Sequence, residues 1–121
     1  MVLSDVAHGN FLGLTDIIPS DRYVLNQRIG GLRAKKDINV RFASLYINFN
    51  QKYFKLHGQG SSQLNLSKGD VIDFILPRLH IKEQTKIANF FTAIDEKITS
   101  NKNQLDALKQ YKQGLLQQMF V

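Results

Sequence analysis

A chain of 121 residues holds one domain, or one small domain with an extension, and not two full-sized ones. At 43% hydrophobic and 21% charged residues it is neither collagen-like nor wholly disordered, and without cysteine it carries no disulfide framework and no thiolate zinc site. Sixteen Lys and Arg against ten Asp and Glu give a formal charge of +6, a basic balance that suits a polyanionic partner, nucleic acid being the commonest.

Residues 1 to about 79 read as irregular and turn-rich, and seven of the eight glycines lie there. The runs Phe11-Leu12-Gly13-Leu14, Tyr23-Val24-Leu25 and Ile29-Gly30-Gly31-Leu32 predict short strands, with a turn at Ile18-Pro19-Ser20-Asp21. From Val40 to Lys55, the residues Val40, Ala43, Tyr46, Ile47, Phe49 and Tyr53 recur at helical spacing. A helix with Asn39 as N-cap and a break near Asn50 follows from that pattern. Tyr46, Phe49, Tyr53 and Phe54 then belong to the helix core rather than to a base-stacking surface. Gly58 to Gln63 is a polar loop. Ser67-Lys68-Gly69-Asp70 has capping-box spacing, with Asp in place of the preferred Glu, and predicts a short helical turn. Asp73 to Leu76 reads as a strand closed by Pro77.

Residues 81 to 120 differ in kind, with no proline and one glycine, Gly114. A seam through Ile87, Phe91, Ile94, Ile98, Asn101, Leu105, Leu108, Lys112, Leu115 and Met119 alternates steps of four and three, and eight of its ten positions are apolar. Such a heptad pattern predicts one long coiled-coil helix packed on another helix. About 38 helical residues would span ~57 Å against ~30 Å for a globule of this size, so the helix is expected to project and to need a partner. Asn101 at the seam either fixes register against a partner Asn or meets water at an open point. Lys112 can bury its stem and keep its ammonium in solvent. Gly114 permits either a close helix approach or a bend. The expected fold class is therefore α+β: a small globule of short strands and helices over 1–79, then a long helix over 80–121.

Charge is concentrated early. The segment Arg22–Lys55 alone carries +7, with Asp37 its one acidic residue, whereas Lys82–Val121 carries +2. A solvated surface tuned for solubility would show the same excess. No apolar run reaches the ~18–20 residues of a membrane helix, and Met1 to Asp5 lacks the basic and apolar blocks of a secretory signal. A cytoplasmic location without membrane contact is expected. His8, His57 and His80 show no ligand spacing, so neither metal nor cofactor is expected. There is no Walker-type loop and no glycine motif of the S-adenosylmethionine-binding kind. Asp95, Glu96 and Lys97 are consecutive on a helix and point in three directions, so they cannot converge on one metal. An enzyme is not expected.

Three separated blocks then carry a resemblance: Leu76-Pro77-Arg78-Leu79 through Glu83-Gln84-Thr85-Lys86-Ile87-Ala88 to Phe91, Ile94-Asp95-Glu96-Lys97-Ile98, and Lys112-Gln113-Gly114-Leu115-Leu116-Gln117-Gln118-Met119-Phe120. Together they resemble the conserved region of the specificity subunit of type I restriction–modification enzymes. Leu25-Asn26-Gln27-Arg28-Ile29 and Gly60 to Ser67 resemble the end of that subunit's target recognition domain. The resemblance implies a non-catalytic subunit whose recognition domain reads half of a split double-stranded DNA target. Its long helices would pair antiparallel as a spacer and dock the methyltransferase, or modification, subunits, with the restriction subunit as a further partner. By that resemblance one unit is expected here where the family has two, and roughly the first half of the recognition domain is expected to be lacking. A half-sized or truncated subunit is expected on that basis. Two copies could restore the pair as a twofold homodimer.

Phosphate neutralisation would then fall to Arg22, Arg33, Lys35, Lys36 and Arg41. Arg28 is read as an internal hydrogen-bonding residue. The polar loop residues Gln59, Ser61, Ser62 and Gln63 could reach base edges or phosphates, or simply satisfy their own turn. Ile87, Phe91, Ile94, Ile98, Asn101, Leu105, Leu108, Leu115 and Met119 form the expected helix interface. Two other readings stand beside this one: a remnant or decoy that engages the methyltransferase without reading DNA, and a small stand-alone DNA-binding regulator.

Overall fold

The computed structural model describes residues 1–4, 12–58 and 65–120. Three short strands, β1 (Val2–Ser4), β2 (Thr15–Asp16) and β3 (Ile29–Gly31), form an antiparallel sheet in the order β2-β1-β3. Leu3 lies opposite Thr15 on one side and Gly30 on the other. Its side chain is buried and joins Ile47 and Phe54 in the core. Four described helices follow: α1 (Val40–Phe49), α2 (Gln51–His57), α3 (Lys68–Ile72) and α4 (Ile81–Met119). The α+β class expected from the sequence is the class observed.

Local chemistry accounts for the helix boundaries. The Asn39 side-chain oxygen accepts from the backbone N–H groups of Arg41 at 3.0 Å and Phe42 at 3.1 Å, satisfying donors that the first turn leaves open. At the other end, Asn50 Nδ2 donates to the Tyr46 carbonyl at 2.8 Å, as an asparagine does when it competes with the helix backbone. The helix breaks there and resumes as α2, as the spacing predicted. Ser67 and Asp70 form a complete capping box at the start of α3.

The core is largely aromatic. Phe54 is fully buried and stacks on Phe74 at 5.0 Å, while Tyr53 and Tyr46 meet the same Phe74 ring at 5.1 and 5.9 Å. These three aromatics are packing residues. Phe49 is not: it is 87% exposed, the last residue of α1, past the buried stretch that ends at Ile47. Opposite Phe54 the chain passes so closely that a Cβ on Gly13 would come within 2.4 Å of that ring. Gly13 also has φ +71, so two separate constraints select glycine in this turn between β1 and β2.

Three strand expectations are corrected. Leu12 and Gly13 form the turn into β2, and Leu14 lies outside the strand although its carbonyl accepts from Ser4 N–H at 2.9 Å; Phe11 lies outside the described residues. Tyr23, Val24 and Leu25 are exposed and form no ladder, because a three-residue run with no neighbouring strand has nothing to pair with. Residues 73–76 show the alternation of a strand without the ladder. Phe74 and Leu76 pack on the core while Ile75 is 82% exposed, and no described strand lies alongside.

The contacts divide the chain into two compact units, Met1–Ala88 and Asn89–Val121, and α4 contributes to both. Among described residues of the second unit, none is buried. No described helix is long and apolar enough to cross a membrane.

Candidate nucleic-acid interface and helix seam

The five expected phosphate-binding cations are exposed, and so is Arg28, which was expected to bond internally. Arg22, Arg28, Arg33, Lys35 and Lys36 lie in loops or at β3, and Arg41 stands in the first turn of α1; all are exposed. The turn at Asn26 is held by its own side chain, whose oxygen accepts from the Arg28 backbone N–H at 3.0 Å, and it leads directly into β3. Gln59, Ser61, Ser62 and Gln63 lie outside the described residues.

Lys35 and Lys36 occupy a tight turn. Ile38 N–H donates to the Lys35 carbonyl at 3.1 Å, which puts Lys36 and Asp37 at its tip. The exit from this turn is clamped by a residue the sequence reading did not single out. Gln84, on α4, is 1% exposed. Its Oε1 accepts from Asn39 N–H at 2.9 Å, and its Nε2 donates to the Asp37 carbonyl at 3.0 Å and the Leu79 carbonyl at 2.9 Å. Nothing in its spacing signals this, because a single Gln in the polar run Lys82-Glu83-Gln84-Thr85-Lys86 reads as a solvated helix face.

A second polar cluster fixes β2. Asn48 Oδ1 accepts from Thr15 N–H at 2.8 Å, and Asn48 Nδ2 donates to the Thr15 carbonyl at 3.1 Å. One side-chain amide thus does for Thr15 what a neighbouring strand would do. The Thr15 hydroxyl meets the Ser44 hydroxyl at 2.8 Å, so this buried junction of sheet and α1 is fully paired. A cleft of about 780 Å³ opens beside Arg33, with Asp21, Tyr23 and Pro19 on its walls. It adjoins the basic loops in sequence, with one cation and one aromatic phenol on its lining.

The seam residues fall into two groups. Ile87 belongs to the first unit and is half-buried there, one residue before the buried Ala88. Phe91, Ile94, Ile98, Asn101, Leu105, Leu108, Lys112, Leu115 and Met119 are all exposed, the apolar ones from 39% at Ile94 to 74% at Met119. Four more large exposed apolar residues flank them: Phe90 and Tyr111 precede, and Leu116 and Phe120 follow, a seam position. The apolar face is therefore wider at its two ends than the single seam read from the sequence. Gly114 interrupts nothing: α4 runs through it, and a Cβ added there would meet open space.

Comparison with known proteins decides the family. The family model for the type I restriction–modification DNA specificity domain matches residues 12–110, most of the chain. The chain belongs to that family. The sequence resemblance was thus correct. No solved structure matches this chain. For a DNA specificity domain, a globule with six exposed basic side chains between residues 22 and 41 is an appropriate electrostatic footprint. Among the described residues no group of three or more His, Asp or Glu is placed to hold a metal ion.

Proposed function

We propose that this chain is a non-catalytic DNA-specificity subunit of a type I restriction–modification complex, acting in the cytoplasm. Residues 1–79 serve recognition of a DNA half-site, and 80–121 serve as spacer, dimerisation element and docking surface for the methyltransferase subunits. Arg22, Arg33, Lys35, Lys36 and Arg41 neutralise phosphates, which sets register on the duplex, while base reading falls to other polar groups, among them the segment holding Gln59, Ser61 and Gln63. The observation that carries this reading is the family match across residues 12–110. The exposed seam supports the assembly part of it. Each buried Leu, Ile or Phe is worth about 1.5–3 kcal/mol, and a face with Leu105, Leu108 and Leu115 in water gains most by pairing. Twofold pairing of two copies would present two recognition units in opposite senses, which suits a split target.

The test is co-purification with the candidate methyltransferase subunit, with the mass of the complex read by light scattering. A stable complex containing two copies of this chain is the expected result. A chain that stays apart from the methyltransferase, as monomer or dimer, contradicts the docking role.

A further inference from the structure

Gln84 combines three properties: near-complete burial, an amide whose oxygen and both N–H donors are engaged, and two partners, Asp37 and Asn39, more than forty positions away along the chain. Its amide binds the Asp37 carbonyl and the Asn39 N–H, which flank Ile38 and face the same way, the pattern a neighbouring strand would satisfy. Next to it, Asn39 Nδ2 donates to Thr85 Oγ1 at 3.3 Å, so two successive residues of α4 grip the same turn exit. On the other side of that turn stand Lys35 and Lys36, exposed. Without the clamp, the turn would rest on its own bond between Ile38 and Lys35.

We propose that Gln84 is a positioning residue for DNA binding, holding the Lys35–Lys36 turn against the start of α4 so that both lysines meet the phosphate backbone from a fixed platform. This rests on the reading above that these lysines contact phosphates. A platform ordered beforehand loses less freedom on binding than a loop that must order at that moment. No other side chain of this length offers one acceptor and two donors on a single plane, so neither an apolar nor a carboxylate replacement can hold all three backbone groups at once.

The experiment follows the affinity of the full chain for a short mixed-sequence DNA duplex as salt is raised, together with hydrogen exchange at the Asn39 amide. Lys35→Ala/Lys36→Ala should lower the log–log salt slope by about two units. Gln84→Leu should lower it by at least about one unit and speed exchange at Asn39 more than tenfold, with helix content retained. Combining Gln84→Leu with the two lysine substitutions should lower the slope no further, because Gln84 acts through those side chains. If Gln84→Leu fails to fold, Gln84→Glu, which keeps the shape and the acceptor but loses two donors when ionised, is measured in the same two backgrounds. An unchanged slope in the lysine variant overturns the phosphate reading itself. A changed slope there, with Gln84 variants that keep the wild-type slope or weaken binding equally in both backgrounds, overturns the positioning role alone.

Discussion

At the scale of single residues, the turn at Gly13 is the least forgiving point described. Left-handed backbone alone costs a residue with a Cβ about 1–3 kcal/mol, and the Phe54 ring occupies the space that Cβ would need. Gly13→Ala should therefore lower the urea midpoint by more than the cap variants do. Asn39 is a cap of the ordinary kind with one added bond. Its replacement by Ala should cost about 0.5–2 kcal/mol, and Asn39→Asp, which keeps the capping oxygen but not the donor to Thr85, should cost less. Both values are read from chemical denaturation. The α3 capping box responds to pH. The Asp70 carboxyl is held below its ordinary value, first by the Ser67 hydroxyl at 2.6 Å and then by the Ser67 backbone N–H at 2.7 Å. A lowered folded-state value means that this contribution is complete above the unfolded carboxylate's range and fades as pH falls through the folded value. The stability difference between wild type and Ser67→Ala should accordingly shrink in acid, measured as denaturation midpoints across that range.

At the scale of elements, what could be read from sequence was what local chemistry decides. Asn39, Asn50 and the Ser67–Asp70 pair each act within four residues, and each set its helix boundary where the spacing placed it. Strands were less legible because a ladder needs a second segment. A short apolar run such as Tyr23 to Leu25 carries strand propensity but finds no partner, whereas Thr15 enters the sheet beside a helix whose Asn48 completes its pairing. Phe49 obeyed helical spacing and still lies exposed, since periodicity cannot tell where a core stops. The long α4 helix was legible because its apolar signal repeats over more than four heptads, whereas Phe90, Tyr111, Leu116 and Phe120 lie beside that stripe and carry no period of their own. Leu105→Asp or Leu108→Asp should abolish self-association, seen as monomer mass in light scattering; dimer mass in both variants would rule out that face. Gly114→Ala meets open space, so it should stabilise the free chain by up to about 1 kcal/mol. If assembly with the methyltransferase is lost in the same variant, Gly114 serves a close helix approach.

At the scale of the whole molecule, the basic balance and the heptad helix suit a polyanion and a helical partner, and the match over residues 12–110 ties the chain to DNA specificity. The residues proposed to touch DNA were legible as charges only. Gln84 was not, because its role depends on Asp37 and Asn39, more than forty positions away along the chain. Sequence-selective recognition is tested by selection from a pool of random duplexes, using the complex of this chain with its methyltransferase subunit. Enrichment of one defined site, in saturable binding that survives physiological salt, is the predicted result. Retention of the whole pool without preference would contradict it and leave a protein that joins the complex without reading DNA.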